Sequence, residues 1–352
     1  MPRSHPPSFA ARIVEWQRRE GRNALPWQGT RDAYRIWLSE VMLQQTRVET
    51  VIPYYERFLA RWPSVGELAA ASVDEVLALW SGLGYYARGR NLHRAACEVR
   101  DRFGGEFPRR FEDVAALPGV GRSTAAAIAA FAGGERRAIL DGNVRRVLAR
   151  HAGIDGDPTS AATMARLWEV AESQLPHRDI ERYTQGMMDL GAGVCTARNP
   201  RCLLCPVGED CVARAESRIE ELPGKRRRAE RPRRHVSMLV ALKAGEVLLE
   251  KRPPTGIWGG LWSLPEFDRA RRAEECLARD WGLEAQEVSA LEPFEHQFTH
   301  FTLEVTPWRA RVRPSEAARE AAASMWLALS DLDGAALPSP VKRLLRSLAN
   351  AA

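Results

Sequence analysis

Four of the six cysteines lie within seventeen residues of one another, with the spacing Cys195-x6-Cys202-x2-Cys205-x5-Cys211. Such crowding favours a metal centre in a reducing compartment over a disulfide framework. Four thiolates suit either a [4Fe–4S] cluster or a structural zinc ion, and the spacing alone leaves both open. Either centre would fix the fold of this segment, because its ligands must converge.

Hydrophobic periodicity predicts that residues 8–217 are mainly helical. Apolar residues recur at intervals of three and four, and proline and glycine separate the runs. The apolar runs are Ile36–Val48, Val73–Trp80, Leu92–Val99, Val144–Leu148 and Met164–Ala171. The breaks are Pro63, Gly82–Gly84, Gly104–Pro108, Pro118–Gly121 and Pro158. The sequence therefore predicts an all-α domain over residues 1–217.

Residues 218–234 are a candidate linker. Gly224–Arg228 and Arg231–Arg234 carry seven positive charges, with glycine and proline among them. A solvated linker explains this composition, and the same charges would also suit contact with phosphates. The whole chain of 352 residues has a formal net charge of +6, which is compatible with a polyanionic partner.

The pattern changes to period two after the linker. Val236–Leu242 and Val247–Glu250 predict a hairpin joined at Ala244-Gly245, and Phe301, Leu303 and Val305 alternate as in a strand. Ala273–Trp281 is expected to be helical, as is a last helix from Ser339-Pro340 to Leu348. Residues 235–352 are therefore expected to form an α+β domain.

Nothing in the sequence predicts export or membrane insertion. Met1–Phe9 lacks the apolar core of a signal peptide. No run reaches the roughly 18 apolar residues of a membrane span. We expect a cytoplasmic protein, monomeric and associated with the nucleoid of a bacterium.

The segment Leu117–Ala125 reads Leu-Pro-Gly-Val-Gly-Arg-Ser-Thr-Ala. Gly119 and Gly121 permit a tight turn, and the following helix would offer free backbone N–H groups to a phosphate. This is the helix-hairpin-helix pattern of DNA-binding repair proteins. The alternative is an ordinary turn between two helices.

Two carboxylates are candidates for catalysis. Asp141 lies between an apolar run and a helical one, where an ordinary helix N-cap is the simpler interpretation. A helix N-terminus also stabilises a negative charge, which suits stabilisation of a cation. Glu40 lies in the apolar segment Trp37–Thr46. Most helix glutamates are exposed, but a glutamate facing the apolar side would have a raised pKa and serve as an acid.

With these features together, the chain resembles the endonuclease III superfamily of DNA glycosylases, and within it the MutY family of adenine DNA glycosylases. The resemblance covers nearly the whole chain. It is carried by the cysteine spacing, the hairpin with its distal Asp141, and the segments Leu25-Pro26-Trp27, Trp37–Thr46, Gly82–Arg88 and Met188–Ala192. It implies a six-helix barrel over about residues 30–134. The amino-terminal segment and residues 135–217 would form a domain that holds one [4Fe–4S] cluster on Cys195, Cys202, Cys205 and Cys211.

The resemblance also implies roles for residues at matching positions. Glu40 would protonate the adenine, and Asp141 would stabilise the oxocarbenium ion. Gln44 and Tyr85 would enter the base stack, although Tyr85 could instead be a core aromatic. Leu25, Trp27 and Gln185 would line the adenine pocket, and Asn143 would support the region of Asp141. The remaining residues expected at the DNA are Arg88, Gly119, Gly121 and Ser123.

The superfamily includes bifunctional enzymes with a lysine nucleophile in the hairpin, where this chain has Ser123. Some MutY relatives also have a lysine four residues after the catalytic aspartate, where this chain has Arg145. The first 224 residues contain no lysine at all. A Schiff base needs an amine, so the sequence predicts a monofunctional glycosylase.

Residues 235–352 resemble the Nudix-like domain of MutY, through Arg252–Trp262 and Pro265–Phe267. The helix that binds magnesium in Nudix hydrolases keeps Glu274-Glu275 but has Ala278-Arg279 in place of its later acidic pair. Nucleotide hydrolysis is therefore not expected. Phe298-Thr299-His300 matches a loop that contacts 8-oxoguanine in relatives; a plain turn at the start of a strand is the alternative.

The sequence thus predicts a monofunctional adenine DNA glycosylase of base excision repair. Its substrate would be duplex DNA containing 8-oxoguanine:adenine or guanine:adenine. The alternatives are a bifunctional glycosylase-lyase, a non-catalytic lesion-binding protein and a nucleotide hydrolase. Ser123, in place of a lysine, argues against the lyase. The presence of both Glu40 and Asp141 argues against a non-catalytic protein, and the altered Nudix helix argues against a nucleotide hydrolase.

Overall fold

Several helices of the amino-terminal part begin at a side chain that caps their first turn. In the computed structural model, which describes residues 7–224, 231–268, 271–314 and 323–350, Ser8, Asp32 and Ser160 each accept a hydrogen bond from a first-turn N–H group. Ser72 forms a reciprocal capping box with Glu75. Such caps stabilise a helix by about 1 kcal/mol each.

The amino-terminal helices run in chain order and confirm the helical prediction for this part. They are α1 (Phe9–Glu20), α2 (Ala33–Leu43), α3 (Val48–Arg61), α4 (Val65–Ala70), α5 (Val73–Trp80), α6 (Ala87–Phe103), α7 (Phe111–Ala115), α8 (Arg122–Gly133), α9 (Gly142–His151), α10 (Ala161–Ser173), α11 (Ile180–Gly193) and α12 (Val212–Ala215). A single 3-10 turn, Cys202–Leu204, lies in the cysteine segment. All the predicted proline and glycine breaks fall between these helices.

One predicted run, Ile36–Val48, is wrong as a single helix. Helix α2 ends at Leu43, and α3 begins at Val48. The turn between them contains Gln45, whose φ is +58°. The apolar positions of the two helices happen to continue one period, and no glycine or proline marks the turn, so periodicity alone missed it.

The carboxyl-terminal part forms a mixed sheet with one helix packed against it. The strands are β1 (Arg233–Lys243), β2 (Glu246–Lys251), β3 (Trp262–Ser263), β4 (Glu266–Phe267), β5 (Leu283–Ala290), β6 (Phe294–Gln297), β7 (Thr302–Pro314) and β8 (Ser324–Ala328). The central order is β3-β2-β1-β7-β5, with β1 and β7 parallel; β4 pairs with β1, β6 with β7 and β8 with β2. Helices α13 (Ala273–Trp281) and α14 (Ser339–Ala349) complete it.

The predicted hairpin is confirmed, with Leu242 opposite Val247 across the turn at Ala244-Gly245. The predicted strand around Leu303 starts at Thr302, one residue later than the alternation suggested. The core under α13 includes Leu239, Leu277 and Ala310. Alternating side chains of β1 and β7 thus pack on the apolar face of this helix.

Contacts divide the described residues into two compact units. Those within Met1–Ala70 and Asn91–Arg228 form the helical unit, and those within Ala71–Arg90 and Ala229–Ala352 form the carboxyl-terminal unit. The sequence did not indicate that α5 and the turn after it belong with the second unit. Of the predicted linker, Lys225, Arg226, Arg227 and Arg228 lie outside the described residues.

The core of the helical unit lies between α1, α8, α9 and α11. Ile13, Leu148 and Leu190 are buried in it, and burial of each such side chain contributes about 1.5–3 kcal/mol. This core fixes the start of α9, where Asp141 lies. Among the described residues, no helix is both long and apolar enough to cross a bilayer.

Candidate active site

Both candidate carboxylates line one open cavity of about 1460 Å³ in the helical unit. Glu40 reaches it from α2, and Asp141 from the start of α9. The cavity is wide enough to admit more than a single small molecule. Six other residues predicted for the site also line it: Leu25, Trp27, Gln44, Ser123, Asn143 and Gln185.

Glu40 is a half-buried side chain on an otherwise apolar helix. Its helical neighbour Trp37 is fully buried, and its carboxyl faces the cavity rather than the outer surface. Burial, followed by the negative charge of Asp141, raises the pKa of Glu40 to about 8. Glu40 therefore holds its proton at neutral pH, as a general acid must before reaction.

Asp141 is the N-cap of α9, as its place in the sequence predicted. Its Oδ1 accepts a hydrogen bond from the Val144 N–H at 2.9 Å. The preceding residue is also held, because the Leu140 N–H donates to the Ser123 hydroxyl at 2.9 Å. The helix terminus favours a negative charge. The two carboxyls thus differ in environment: one is protonated and shielded, the other is bound to a backbone donor.

Asn143 lies in the first turn of α9 and is tied to the cysteine segment through Arg146. The Arg146 guanidinium donates to Asn143 Oδ1 at 2.9 Å and to the carbonyl of Cys195 at 2.7 Å. It also donates to the Gly191 carbonyl at 2.7 Å. A Cβ on Gly191 would stand 2.6 Å from the Cβ of Asn143. Only glycine therefore permits this approach between α9 and α11.

One wall of the cavity is formed by the segment before α2. Trp27 is buried and meets Tyr55 edge to face, with ring centroids 5.4 Å apart. Leu25 is held in a short turn, in which its N–H donates to Gln28 Oε1 at 2.9 Å. An aromatic ring and an aliphatic side chain fixed in this way suit a flat, apolar ligand surface.

The cavity lining also contains a charged pair that sequence reasoning missed. Asp189 is buried and accepts hydrogen bonds from Arg22 Nε at 2.6 Å and from Gln185 Nε2 at 2.8 Å. Both partners line the cavity. The available signal was an aspartate four residues after Gln185 in a predicted helix, a spacing that places the two side chains on one helix face.

The helix-hairpin-helix turn is built as its glycines suggested. Gly119 has a φ of +78°, and a Cβ there would stand 2.7 Å from the Cβ of Asn91. Gly121 is the N-cap of α8. Gln44 Nε2 lies 3.4 Å from the Gly119 carbonyl and 3.3 Å from the Thr124 hydroxyl. The hairpin and the end of α2 thus support each other at the cavity's edge.

The four clustered cysteines surround a second, smaller cavity. Arg150, which is buried, donates to Cys195 Sγ at 3.4 Å and to the Leu222 carbonyl at 2.8 Å. Burial raises the pKa of Cys205 to about 11, so a cation must stabilise it as a thiolate. Among the described residues, no group of three or more His, Cys, Asp or Glu side chains is placed so that it could hold a single metal ion. Thiols placed around a shared cavity fit a polynuclear cluster, in which each iron takes one thiolate.

Tyr85 and Arg88 lie in the carboxyl-terminal unit, Tyr85 on the turn between α5 and α6 and Arg88 in the first turn of α6. Tyr85 has a φ of +48° and is 51% exposed, so it is not a core aromatic. Arg88 is only 8% exposed. Its guanidinium donates to the carbonyl of Leu83 at 3.1 Å and lies 5.3 Å from the Trp80 ring. Arg88 therefore supports the inside of the turn, and the DNA contact that the family resemblance implied for it stays a prediction.

Phe298, Thr299 and His300 form the tip of the hairpin between β6 and β7. The Phe298 N–H donates to the Phe301 carbonyl at 2.9 Å and closes the turn. Thr299 and His300 are exposed, while Phe298 is half-buried. The Phe298 ring lies among three others, with centroids at 4.6 Å to His296, 4.6 Å to Phe301 and 5.9 Å to Trp258.

Family models match three consecutive parts of the chain. Residues 38–173 match the HhH-GPD superfamily base excision DNA repair protein model. Residues 195–211 match the iron-sulfur binding domain of endonuclease III, and residues 237–347 match the NUDIX domain. The fold is therefore a helix-hairpin-helix glycosylase, with its six-helix barrel and cluster domain, followed by an α+β Nudix-like domain. The cofactor is a [4Fe–4S] cluster, one of the two centres that the cysteine spacing left open.

Curated relatives cover nearly the whole chain. The adenine DNA glycosylase of Buchnera aphidicola subsp. Acyrthosiphon pisum (strain APS) is 34% identical over 96% of this chain and 97% of its own length. The Mus musculus adenine DNA glycosylase is 34% identical over 96% of this chain and 77% of its own. A solved thermostable thymine-DNA glycosylase matches at a TM-score of 0.54, with 28% identity over 59% of this chain and 95% of that one. This chain belongs to the adenine DNA glycosylase family.

Proposed function

We propose that the chain hydrolyses the N-glycosidic bond of adenine opposite 8-oxoguanine or guanine in duplex DNA. The observation that carries this proposal is the pairing of a protonated Glu40 with the N-cap carboxylate of Asp141 in one cavity. Cleavage of a glycosidic bond requires an acid for the leaving group and a negative charge for the cation. The site supplies both, because burial raises the pKa of Glu40 and the start of α9 favours a negative charge at Asp141.

The reaction begins when adenine leaves the stack, which costs a few kcal/mol and less at a mismatch. Glu40 donates its proton to N7 of the extruded adenine. The bond between N9 and C1′ then breaks, its electron pair departs with the base, and Asp141 stabilises the oxocarbenium ion. Water attacks C1′ and gives up a proton, which returns Glu40 to its starting state. Acid catalysis of this kind contributes roughly 10²–10⁴-fold.

The cavity walls favour a purine with an exocyclic amine. Trp27 and Leu25 offer apolar surface to its faces. Gln185 donates through Nε2 to Asp189, so its carbonyl oxygen is the atom left to accept from an amino group. Asp189 thereby orients the side-chain amide of Gln185 so that its carbonyl oxygen can accept a hydrogen bond from the amino group of adenine.

Ser123 takes a supporting part in this proposal. It occupies the position where bifunctional relatives carry a lysine, and its hydroxyl holds the backbone directly before Asp141. All four lysines of the chain, Lys225, Lys243, Lys251 and Lys342, follow residue 224. Of these, the three that the structure describes, Lys243, Lys251 and Lys342, do not line the cavity. Cleavage therefore stops at the abasic site, in agreement with a monofunctional enzyme.

The four cysteines would hold the [4Fe–4S] cluster. When bound, the cluster would supply iron cations that stabilise the thiolates, and its ligation by all four cysteines would close the loop between Cys195 and Cys211. Arg150 would keep its hydrogen bond to Cys195 in that state. The cluster would act on the reaction only by fixing this part of the fold.

Two exposed parts of the carboxyl-terminal unit would contact the DNA duplex. Tyr85 would fill the space left in the stack, because an exposed ring on a constrained turn can intercalate. Thr299 and His300 would read the 8-oxoguanine through a hydroxyl and an imidazole, both of which donate and accept hydrogen bonds. Phe298 would hold the hairpin tip that presents them.

A single-turnover assay tests the proposal directly. Adenine release is measured from otherwise identical duplexes containing 8-oxoguanine:adenine, guanine:adenine and thymine:adenine. We expect fastest release opposite 8-oxoguanine, measurable release opposite guanine and little opposite thymine, with strand breakage only after alkali or heat. Equal rates on all three duplexes, or no release from any, would contradict the proposed substrate.

A further inference from the structure

The turn that carries Tyr85 is anchored by the carboxyl-terminal residues of its own unit. The hydroxyl of Tyr86, the residue next to Tyr85, donates to the Leu337 carbonyl at 3.1 Å. The Ser81 hydroxyl donates to the same carbonyl at 3.2 Å. Tyr86 and Leu337 are buried, so water cannot readily replace the bond between them, while the Ser81 bond is partly buried. One backbone oxygen, about 250 residues away in the chain, thus accepts a hydrogen bond from a hydroxyl at each end of the turn.

Further contacts reinforce this anchorage on each side of the turn. Before it, the Lys251 ammonium pairs with Asp74 at the start of α5. After it, Arg90 donates to the Gly259 carbonyl at 2.5 Å. Leu337 itself is held in place, because the neighbouring Ala336 carbonyl accepts the Trp262 N–H at 3.0 Å. The segment that contains Leu337 is therefore hydrogen-bonded to strand β3.

Inside the turn, the backbone is supported from both flanks. Trp80 Nε1 donates to the Gly84 carbonyl at 3.1 Å, and Arg88 donates to the same carbonyl at 3.3 Å. Tyr85 adopts its left-handed φ of +48° within this support. A non-glycine residue in this region is held there by its surroundings. Tyr85 and Tyr86 consequently point apart: one ring is exposed, and the other is buried against Leu337.

We propose that Ser81 and Tyr86 are positioning residues through which the carboxyl-terminal unit fixes Tyr85 for adenine extrusion. This inference rests on the proposed function, in which Tyr85 enters the base stack. The Nudix-like part of the chain would then have two tasks. It presents Thr299 and His300 to the base opposite the adenine. It also positions the Tyr85 ring, which fills the space that the extruded adenine leaves in the stack. Loss of the anchor would slow extrusion even though no group at the cavity changes.

The test compares Ser81→Ala/Tyr86→Phe with the full-length wild type. Extrusion is followed by stopped-flow fluorescence of 2-aminopurine placed beside the adenine, in a duplex whose adenosine carries a 2′-fluorine to slow cleavage. We expect the fluorescence phase to slow about tenfold, the size expected from loss of one buried and one partly buried hydrogen bond. The matched controls are Tyr34→Phe, which removes a buried hydroxyl bond to the Trp62 carbonyl at 2.7 Å, and Ser347→Ala. Both should extrude adenine at the wild-type rate.

The same changes are then made in a Tyr85→Ala background. If the anchor acts through Tyr85, its removal there should slow extrusion less than twofold, because the effects of coupled residues are not additive. An unchanged rate in Ser81→Ala/Tyr86→Phe, or a full tenfold loss in the Tyr85→Ala background, would overturn the inference. Failure of the proposed function would show differently, as absence of adenine release by the wild type, while the fluorescence still reports extrusion.

Discussion

The Ser123 hydroxyl accepts a hydrogen bond from the Leu140 N–H at 2.9 Å, one residue before the catalytic candidate Asp141. A side chain in the helix-hairpin-helix thus fixes the backbone that leads into α9. Leu140 is buried, so its N–H has no ready substitute partner. Ser123, which stands where bifunctional relatives carry a lysine nucleophile, therefore positions the backbone next to Asp141.

We expect Ser123→Ala to slow single-turnover adenine release about tenfold, since an unsatisfied buried N–H costs about 1–3 kcal/mol and Asp141 loses part of its support. Release kinetics at saturating enzyme measure this. Ser173→Ala, which removes an exposed hydroxyl bond to the Val170 carbonyl on α10, is the control. A Ser123→Ala rate equal to that of the control would show that the bond does not position Asp141.

Glu40→Gln should reduce adenine release by at least about 10²-fold while mismatch binding stays near normal, because glutamine keeps the shape but has no acidic proton. The matched control is Glu56→Gln, an exposed glutamate on α3. Binding is measured separately, on a duplex that is not cleaved. Full activity of the glutamine variant would exclude Glu40 as the acid.

The pH profile should report the same carboxyl. Because Glu40 must be protonated to act, and its pKa is about 8, the single-turnover rate should fall as the pH rises above about 8. That fall should be absent from the residual activity of Glu40→Gln. A wild-type profile with no decline above this pH would assign the acid to another group.

Stability should depend on pH through the same shift. The pKa of Glu40 lies near 8 in the folded chain, against an ordinary value of 4.5, so the folded state binds the proton more tightly. The stabilisation of the fold that comes from protonated Glu40 is fully present below pH 4.5 and is lost as the pH rises to 8. Relative to Glu40→Gln, the wild type should lose about 2–4 kcal/mol of unfolding free energy over that range. Denaturant unfolding at both pH values measures the difference, and parallel behaviour of the two proteins would contradict it.

The sequence predicted the elements and motifs well, because periodicity, capping residues and ligand spacing are local. Asp141 as an N-cap, the hairpin at Ala244-Gly245 and α13 all followed from short patterns. The environment of Glu40 did not, since a glutamate on a mostly apolar helix is compatible with either exposure or burial. Only the convergence of α2 and α9 on one cavity decides between them.

Long-range pairing explains what sequence reasoning missed. Asp189 was part of a recognised segment, but its partner Arg22 lies 167 residues earlier. The attachment of the Tyr85 turn to Leu337 likewise joins distant parts of the chain. The family resemblance placed Arg88 at the DNA, and the hydrogen bonds of its guanidinium to the carbonyls of Leu83 and Gly84 could not be predicted from the sequence. No local pattern encodes such contacts.

Cys202→Ser should lower the iron content and the folded fraction more than it changes the chemical step. If the site binds its cluster, the purified protein should be yellow-brown with about four irons per chain. Cys97→Ser, which changes a cysteine outside the four-cysteine segment, should leave the iron content unaltered. Iron analysis and visible absorption are the measurements. Full iron loading of Cys202→Ser would remove Cys202 from the ligand set.

Lesion discrimination is best tested at the hairpin tip rather than by removing the carboxyl-terminal residues. Truncation would also remove Leu337 and Gly259, which hold the segment around Tyr85, and would therefore mix two effects. Thr299→Val with His300→Ala changes only exposed side chains. The backbone bond between Phe298 and Phe301 and the ring cluster around Phe298 should then survive.

In this double variant, we expect the preference for 8-oxoguanine:adenine over guanine:adenine to shrink about 10-fold, since lost polar contacts cost about 1–3 kcal/mol and each 1.4 kcal/mol is a factor of ten. Release opposite guanine should change little, because the adenine site is untouched. His177→Ala, an exposed histidine of the helical unit, is the control, and all rates are compared at one salt concentration. Phe298→Ala should also weaken discrimination, because it loosens the tip that presents Thr299 and His300. If the double variant keeps the full wild-type preference, the tip is only a turn, and the opposite base is read by another part of the protein.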